Sequence, residues 1–80
     1  MQAMVFEKIR DIISEQMNIA KEKITEATRF SEDLNADSLD IFQIISELEE
    51  SFDMEFSNED TEHIRTVGDA AAYVKKALEA

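Results

Sequence analysis

The sequence contains no cysteine, no proline and no tryptophan, a single glycine (Gly68) and a single histidine (His63). Without cysteine, neither a disulfide nor a thiolate-held metal can brace the fold, and one histidine is too few for a histidine-rich metal site. Stability must come from apolar packing. Positive charge is scarce as well. Eight Lys and Arg stand against 19 Asp and Glu, a formal net charge of −11, and no Lys or Arg occurs between Phe30 and Ile64. Such a surface repels phosphate backbones and anionic lipid, so nucleic acid and membrane are set aside as partners, and cations and basic protein patches remain. Long apolar runs are missing too. The N-terminal stretch MQAMVFEKIRDIISEQ is charged from Glu7 onward, which suits neither a signal peptide nor a membrane span, and a cytoplasmic protein is expected.

What is present is enough to fold. Hydrophobic residues make up 44% of the chain, including five Phe, more than an acidic disordered tail would hold. A chain of 80 residues buries only about 60–65% of its unfolded surface, which fits one domain, residues 1–80, with no room for an elaborate active site. From Val5, the apolar positions Phe6, Ile9, Ile13 and Met17 recur every three or four residues and predict a helix from about Met4 to Met17, stopped by Asn18. A long connection, about Ile19 to Ala36, follows. Its spaced apolar residues Ile24, Ala27, Phe30 and Leu34 predict an ordered loop pinned to the core. Ile41, Ile44, Ile45, Leu48 and Phe52 then mark a second amphipathic helix with an acidic outer side, started by Asp37 as N-cap with Asp40 three residues on. Asn58 is read as the cap of a short third helix reaching about His63. Thr66 and Asp69 open a fourth, with Val67, Ala70, Ala71, Val74 and Leu78 on one face. The expected fold is all-α, a small four-helix bundle with a long first loop and a short third helix.

The stretch EDLNADSLDIF, residues 32–42, sets Ser38 among Glu32, Asp33, Asp37 and Asp40. A calcium loop is a partial match, since Asp33, Asn35 and Asp37 fall at its first, third and fifth positions. The match fails where glycine is needed, at Ser38, and where a bidentate glutamate is needed, at Ile44. A self-contained serine hydrolase needs a base and oxyanion donors, whereas Asp37 and Asp40 oppose developing negative charge and no glycine-rich elbow flanks the serine. On the residues alone, Ser38 is a helix-start residue, because Asp and Ser are common there.

The wider stretch DLNADSLDIFQIISELEESFDMEF closely resembles the acyl carrier proteins of dissociated fatty acid synthesis, whose mark is an Asp-Ser-Leu triplet opening an acidic helix. VFEKIRDIISEQMNI is similar to that family's first helix, ITEATRFSEDL to its long loop, and FSNEDTEHIRTVGDAAAYV to its third and fourth helices. The resemblance implies a monomeric, non-catalytic carrier, with 4′-phosphopantetheine taken from coenzyme A and held on Ser38, acyl groups riding as thioesters on its thiol. It also implies partners: a phosphopantetheinyl transferase, then the acyltransferases, ketosynthases, reductases and dehydratases of fatty acid synthesis. Asp37, Leu39, Asp40, Glu47, Glu49 and Glu50 are the expected docking residues for basic patches on those enzymes, with steering that favours quick, releasable encounters. Phe30, Ile44, Leu48, Phe52, Phe56, Ile64 and Ala70 are the expected lining for the acyl chain. Asn35 replaces a common glycine and is expected to keep positive φ; Phe42, Gln43 and Ser57 also depart from the usual pattern. The reading of a different class is an acidic helical interaction module without a prosthetic group, its second helix binding basic partners.

Overall fold

The computed structural model describes residues 2–79, with side chains from Met4 onward; Met1 and Ala80, the ends of the expected domain, lie outside the described residues. Four helices follow one another: α1 (Gln2–Met17), α2 (Ser38–Phe52), α3 (Asn58–Glu62) and α4 (Val67–Glu79), with a 3-10 turn at Lys21–Lys23 in the first loop. The fold is all-α, as the periodicities predict. Among the described residues, the β-type pairing is a single isolated bridge between Arg29 and Thr66.

Each long helix turns one apolar stripe inward. α1 buries Val5, Ile9 and Ile13, α2 buries Ile44, Ile45 and Leu48, and α4 buries Val67, Ala70 and Val74. α1 lies against both α2 and α4. Ile24, Phe30, Leu34 and Ala36 of the first loop complete the core. These side chains are apolar and mostly aliphatic, with Thr28 the one polar residue buried among those described.

The first loop is an ordered strap. Val67 N–H donates to the Thr28 carbonyl at 2.8 Å, Gly68 N–H to the Glu26 carbonyl at 2.8 Å, and Phe30 N–H to the Arg65 carbonyl at 3.0 Å. These bonds tie the loop to the start of α4. The approach explains the single glycine, because a Cβ on Gly68 would stand 2.8 Å from the Glu26 carbonyl oxygen.

Helix ends follow the cap chemistry closely. Asp37 caps α2 reciprocally with Asp40, and Thr66 and Asp69 do the same for α4, with the Asp69 N–H on Thr66 Oγ1 at 3.0 Å and the Thr66 N–H on Asp69 Oδ2 at 3.1 Å. Among the described residues, three non-glycine residues hold positive φ: Asn18, Asn35 and Asp53. Asn18 stops α1, with the Ile19 N–H reaching back to the Ser14 carbonyl, and Asp53 stops α2 in the same manner. Two boundaries differ from expectation. α1 begins at Gln2, ahead of Met4, because nothing in the preceding sequence breaks a helix. The cap of α3 is Ser57, not Asn58: the Ser57 hydroxyl accepts the Asp60 N–H at 3.0 Å, and Asn58 becomes the first helical residue.

Candidate functional site

Ser38 is the first helical residue of α2. The reciprocal cap on either side of it closes without its help, since the Asp40 N–H donates to Asp37 Oδ1 at 2.9 Å and the Asp37 N–H to Asp40 Oδ2 at 3.2 Å. The serine side chain is exposed, and among the described residues its hydroxyl takes part in no hydrogen bond. A helix start therefore presents a free hydroxyl to solvent.

Beside that hydroxyl lies a cleft of about 790 Å³, walled by the first loop, α2 and the α3 region. Its apolar lining is Phe30, Ile41, Phe42, Ile45, Phe56 and Ile64. Of the seven residues expected to line an acyl site, Phe30, Phe56 and Ile64 are on this cleft. The other four are not. Ile44, Leu48 and Ala70 are fully buried in the core, and Phe52 is half-buried with Lys8 Nζ 5.9 Å from its ring centre. The reason is angular. At about 100° per residue, the stripe of α2 is wide enough to face two ways, with the Ile44–Leu48 row turned to the bundle core and the Ile41–Ile45 row turned to the cleft. Ile41, Phe42 and Ile45 were missed by the sequence reading. The available signal was their spacing of three, four and seven from Ser38, which puts them on the serine's own face.

The carboxylates divide into free and engaged. Asp37, Glu47 and Glu50 are exposed, Asp40 is half-buried in the cap, and Leu39 beside Ser38 keeps 63% of its surface in solvent. Asp37 and Asp40 are engaged locally in the α2 cap, and Glu49 is engaged at longer range: its Oε2 accepts the Phe56 N–H at 2.7 Å, which fixes the chain entering α3. Glu32 and Asp33 are also engaged, by the Arg29 guanidinium at 2.8 and 3.2 Å. The Arg29 side-chain bond holds the Asp33 carboxyl below its ordinary value, and the same bond raises the Arg29 guanidinium. Among the described residues no three His, Cys, Asp or Glu side chains converge on a possible metal position. His63 caps the C-terminal end of α3 and does not reach the cleft beside Ser38.

α3 is fastened by one carboxylate. Asp60 Oδ2 accepts from Tyr73 Oη at 2.6 Å and from Ser57 Oγ at 2.7 Å, and the Tyr73 ring stacks on Phe56 at 4.6 Å between centres. The Tyr73 bond, then the Ser57 bond, hold the Asp60 carboxyl below the usual carboxylate range, and the Asp60 carboxylate in turn raises the Tyr73 hydroxyl.

An exposed serine that is free of other duties, at a helix start beside an apolar cleft, fits a covalently held prosthetic arm. The model of one family, phosphopantetheine attachment site, matches residues 7–74. The match spans most of the chain, which belongs to that family of phosphopantetheine-bearing carriers. Solved structures narrow the class. The chain is 37% identical to the acyl carrier protein from Enterococcus faecalis, covering 95% of this chain and 96% of that one, with a TM-score of 0.81. It is 36% identical to a putative acyl carrier protein from Mycobacterium tuberculosis, covering 95% and 99%, with a TM-score of 0.79. The fold is the acyl carrier fold, the cofactor is 4′-phosphopantetheine, and proteins of this kind carry groups for other enzymes and are not enzymes themselves. The family's partners are enzymes that use the carried acyl groups.

Proposed function

We propose that Ser38 is the attachment point of the 4′-phosphopantetheine arm and that the chain, one carrier domain over residues 1–80, carries acyl intermediates of fatty acid biosynthesis in the cytoplasm. One observation carries the reading: the hydroxyl of Ser38 is exposed and unbonded at the start of α2 because Asp37 and Asp40 complete the cap between them. Ser38 contributes only its oxygen. As the Oγ–phosphorus bond forms, the bond from that phosphorus to the adenosine bisphosphate of coenzyme A breaks, and the serine proton passes to a base of the transferase. The carboxylates around Ser38 make poor catalysts of this step, so the Mg²⁺ and the base come with the transferase. Once attached, the arm supplies the thiol that a cysteine-free chain lacks.

Asp37, Leu39, Asp40, Glu47 and Glu50 form the docking face, which meets basic patches on the transferase and on the acyltransferases, ketosynthases, reductases and dehydratases of the pathway. Glu49 sits at its inner edge as a structural member. Exposed ion pairs contribute about 0–1 kcal/mol each, so such a face speeds encounter while leaving complexes able to separate. The cleft lined by Phe30, Ile41, Phe42, Ile45, Phe56 and Ile64 shelters the acyl chain from water. Membrane spanning has no support in the helices, none of which is long and apolar enough to cross a bilayer among the described residues.

Incubation with coenzyme A, Mg²⁺ and a broad-specificity phosphopantetheinyl transferase, followed by intact-mass measurement, tests the assignment. The expected result is one added phosphopantetheinyl group on the wild-type chain and none on Ser38→Ala. No addition to the wild type, or addition that persists in Ser38→Ala, overturns it.

A further inference from the structure

α3 forms one wall of the cleft through Asn58, Thr61 and Glu62, yet it has five residues and buries none of them. A single helical turn has too few backbone bonds to stand on its own. The chain is anchored before it by buried Phe56 and after it by half-buried Ile64. Between those anchors, among the described residues, the Ile64 N–H donates locally to the Thr61 carbonyl at 3.1 Å, and one hydrogen bond joins residues 57–63 to a part of the chain beyond Ile64: Tyr73 Oη to Asp60 Oδ2, at 2.6 Å. The oxygen that accepts it also accepts Ser57 Oγ, so one carboxylate closes the N-terminal cap of α3 and fastens the helix to α4. The tyrosine ring adds a second hold by stacking on Phe56, whose backbone N–H is fixed by Glu49. Tyr73 and Asp60 do not themselves line the cleft.

We propose that Tyr73 is a positioning residue for the carried acyl chain: its hydroxyl, bonded to Asp60, keeps α3 standing as the wall of the cleft beside Ser38. The inference rests on the reading that the acyl chain occupies this cleft. A charge-assisted hydrogen bond at this place is a latch. Without it, α3 has neither buried side chains nor a tertiary bond to oppose fraying, and the chain loses one side of its shelter. The site of arm attachment is on another helix and is unaffected.

The test compares wild type, Tyr73→Phe and Asp60→Ala, each loaded on the arm with an octanoyl or an acetyl thioester and exposed to hydroxylamine. In the wild type, octanoyl is cleaved more slowly than acetyl. Tyr73→Phe and Asp60→Ala are expected to cleave octanoyl about tenfold faster than wild type, equivalent to about 1.4 kcal/mol, with acetyl cleavage and the rate of arm attachment unchanged. Hydrogen exchange of the Thr61 amide, bonded to the Ser57 carbonyl, should quicken in both variants while core amides of α1 stay protected. Octanoyl protection equal to wild type in both variants overturns the latch. If wild-type octanoyl is cleaved as fast as acetyl, the cleft reading itself fails, and the latch falls with it. A merely structural role would quicken acetyl and octanoyl cleavage alike and loosen α1, which also refutes the proposal.

Discussion

Replacing Gly68 by alanine sets two effects of opposite sign against each other. Gly68 is the second residue of α4, where alanine is the better helix former by about 0.8–1 kcal/mol, so propensity alone predicts stabilisation. The strap opposes this. The new Cβ would stand 2.8 Å from the Glu26 carbonyl oxygen and 3.2 Å from Glu26 Cβ, so relief to an ordinary contact of 3.4 Å requires movement of about 0.6 Å (3.4 − 2.8). The oxygen is backbone and cannot swing aside as a side chain would. Movement stretches the Gly68–Glu26 bond and the neighbouring Val67–Thr28 bond, both 2.8 Å. Overpacking of this kind costs about 1–3 kcal/mol, so after the propensity gain the variant should be less stable by up to about 2 kcal/mol, with a middle value of about 1 kcal/mol. For a domain of this size the middle value lowers the melting temperature by about 4–8 °C. Thermal melts followed by circular dichroism, with reversibility checked, provide the measurement. A melting temperature equal to or above wild type would mean that the strap yields freely and that the steric reasoning is wrong.

Asp37→Ala removes the acceptor for the Asp40 N–H and should destabilise by about 1 kcal/mol, whereas Asp37→Ser should keep most of the stability; identical melts for wild type and Asp37→Ala would show that the cap contributes nothing. The pH profile of stability should be domed toward acid. Asp33, Asp60 and Asp69 have carboxyls held below 3.8, by Arg29, by Tyr73 and Ser57, and by the Arg65 and Thr66 N–H groups respectively, so their stabilisation is complete above the unfolded value and is lost as pH falls through the lower folded values. Between pH 8 and about 5 those groups stay ionised in both states, while the charge of −11 shrinks toward the isoelectric point near 4.3 and self-repulsion eases. Melting temperature should therefore rise on acidification to about pH 5 and fall below about pH 4; a steady decline from pH 8 downward would contradict the repulsion.

The three long helices were legible because each repeats apolar residues at three and four over about a dozen positions. Asn18 ends α1 through its left-handed backbone, and Asp37 and Asp69 mark the starts of α2 and α4 with side chains that have local partners. Asn35 has the positive φ expected of it, a conformation asparagine tolerates better than most residues. What stayed hidden depends on partners far along the chain. The choice between Ser57 and Asn58 as cap could not be made by residue type, since both are good caps; it turns on which one has an aspartate at its third helical position, and Ser57 has Asp60. Glu49 reads as one more carboxylate on an acidic helix until the fold brings the Phe56 amide to it. The pairing of Tyr73 with Asp60 crosses from α3 to α4 and leaves no periodic trace. The cleft-facing row Ile41, Phe42 and Ile45 was within reach of a helical-face count from Ser38, whereas the apolar pattern alone pointed to Ile44 and Leu48, which are more hidden from water.

Arg29 gives the acidic surface a beginning. By holding Glu32 and Asp33 on the loop side of Ser38, it offsets one of their two charges, whereas the carboxylates from Asp37 along α2 through Glu47 and Glu50 have no basic partner among the described ion pairs. The molecule is thereby electrically lopsided about its own serine. An approaching basic surface is drawn more strongly toward one flank of Ser38 than toward the partly neutralised shoulder on the other, which gives the encounter a heading before any side chain touches.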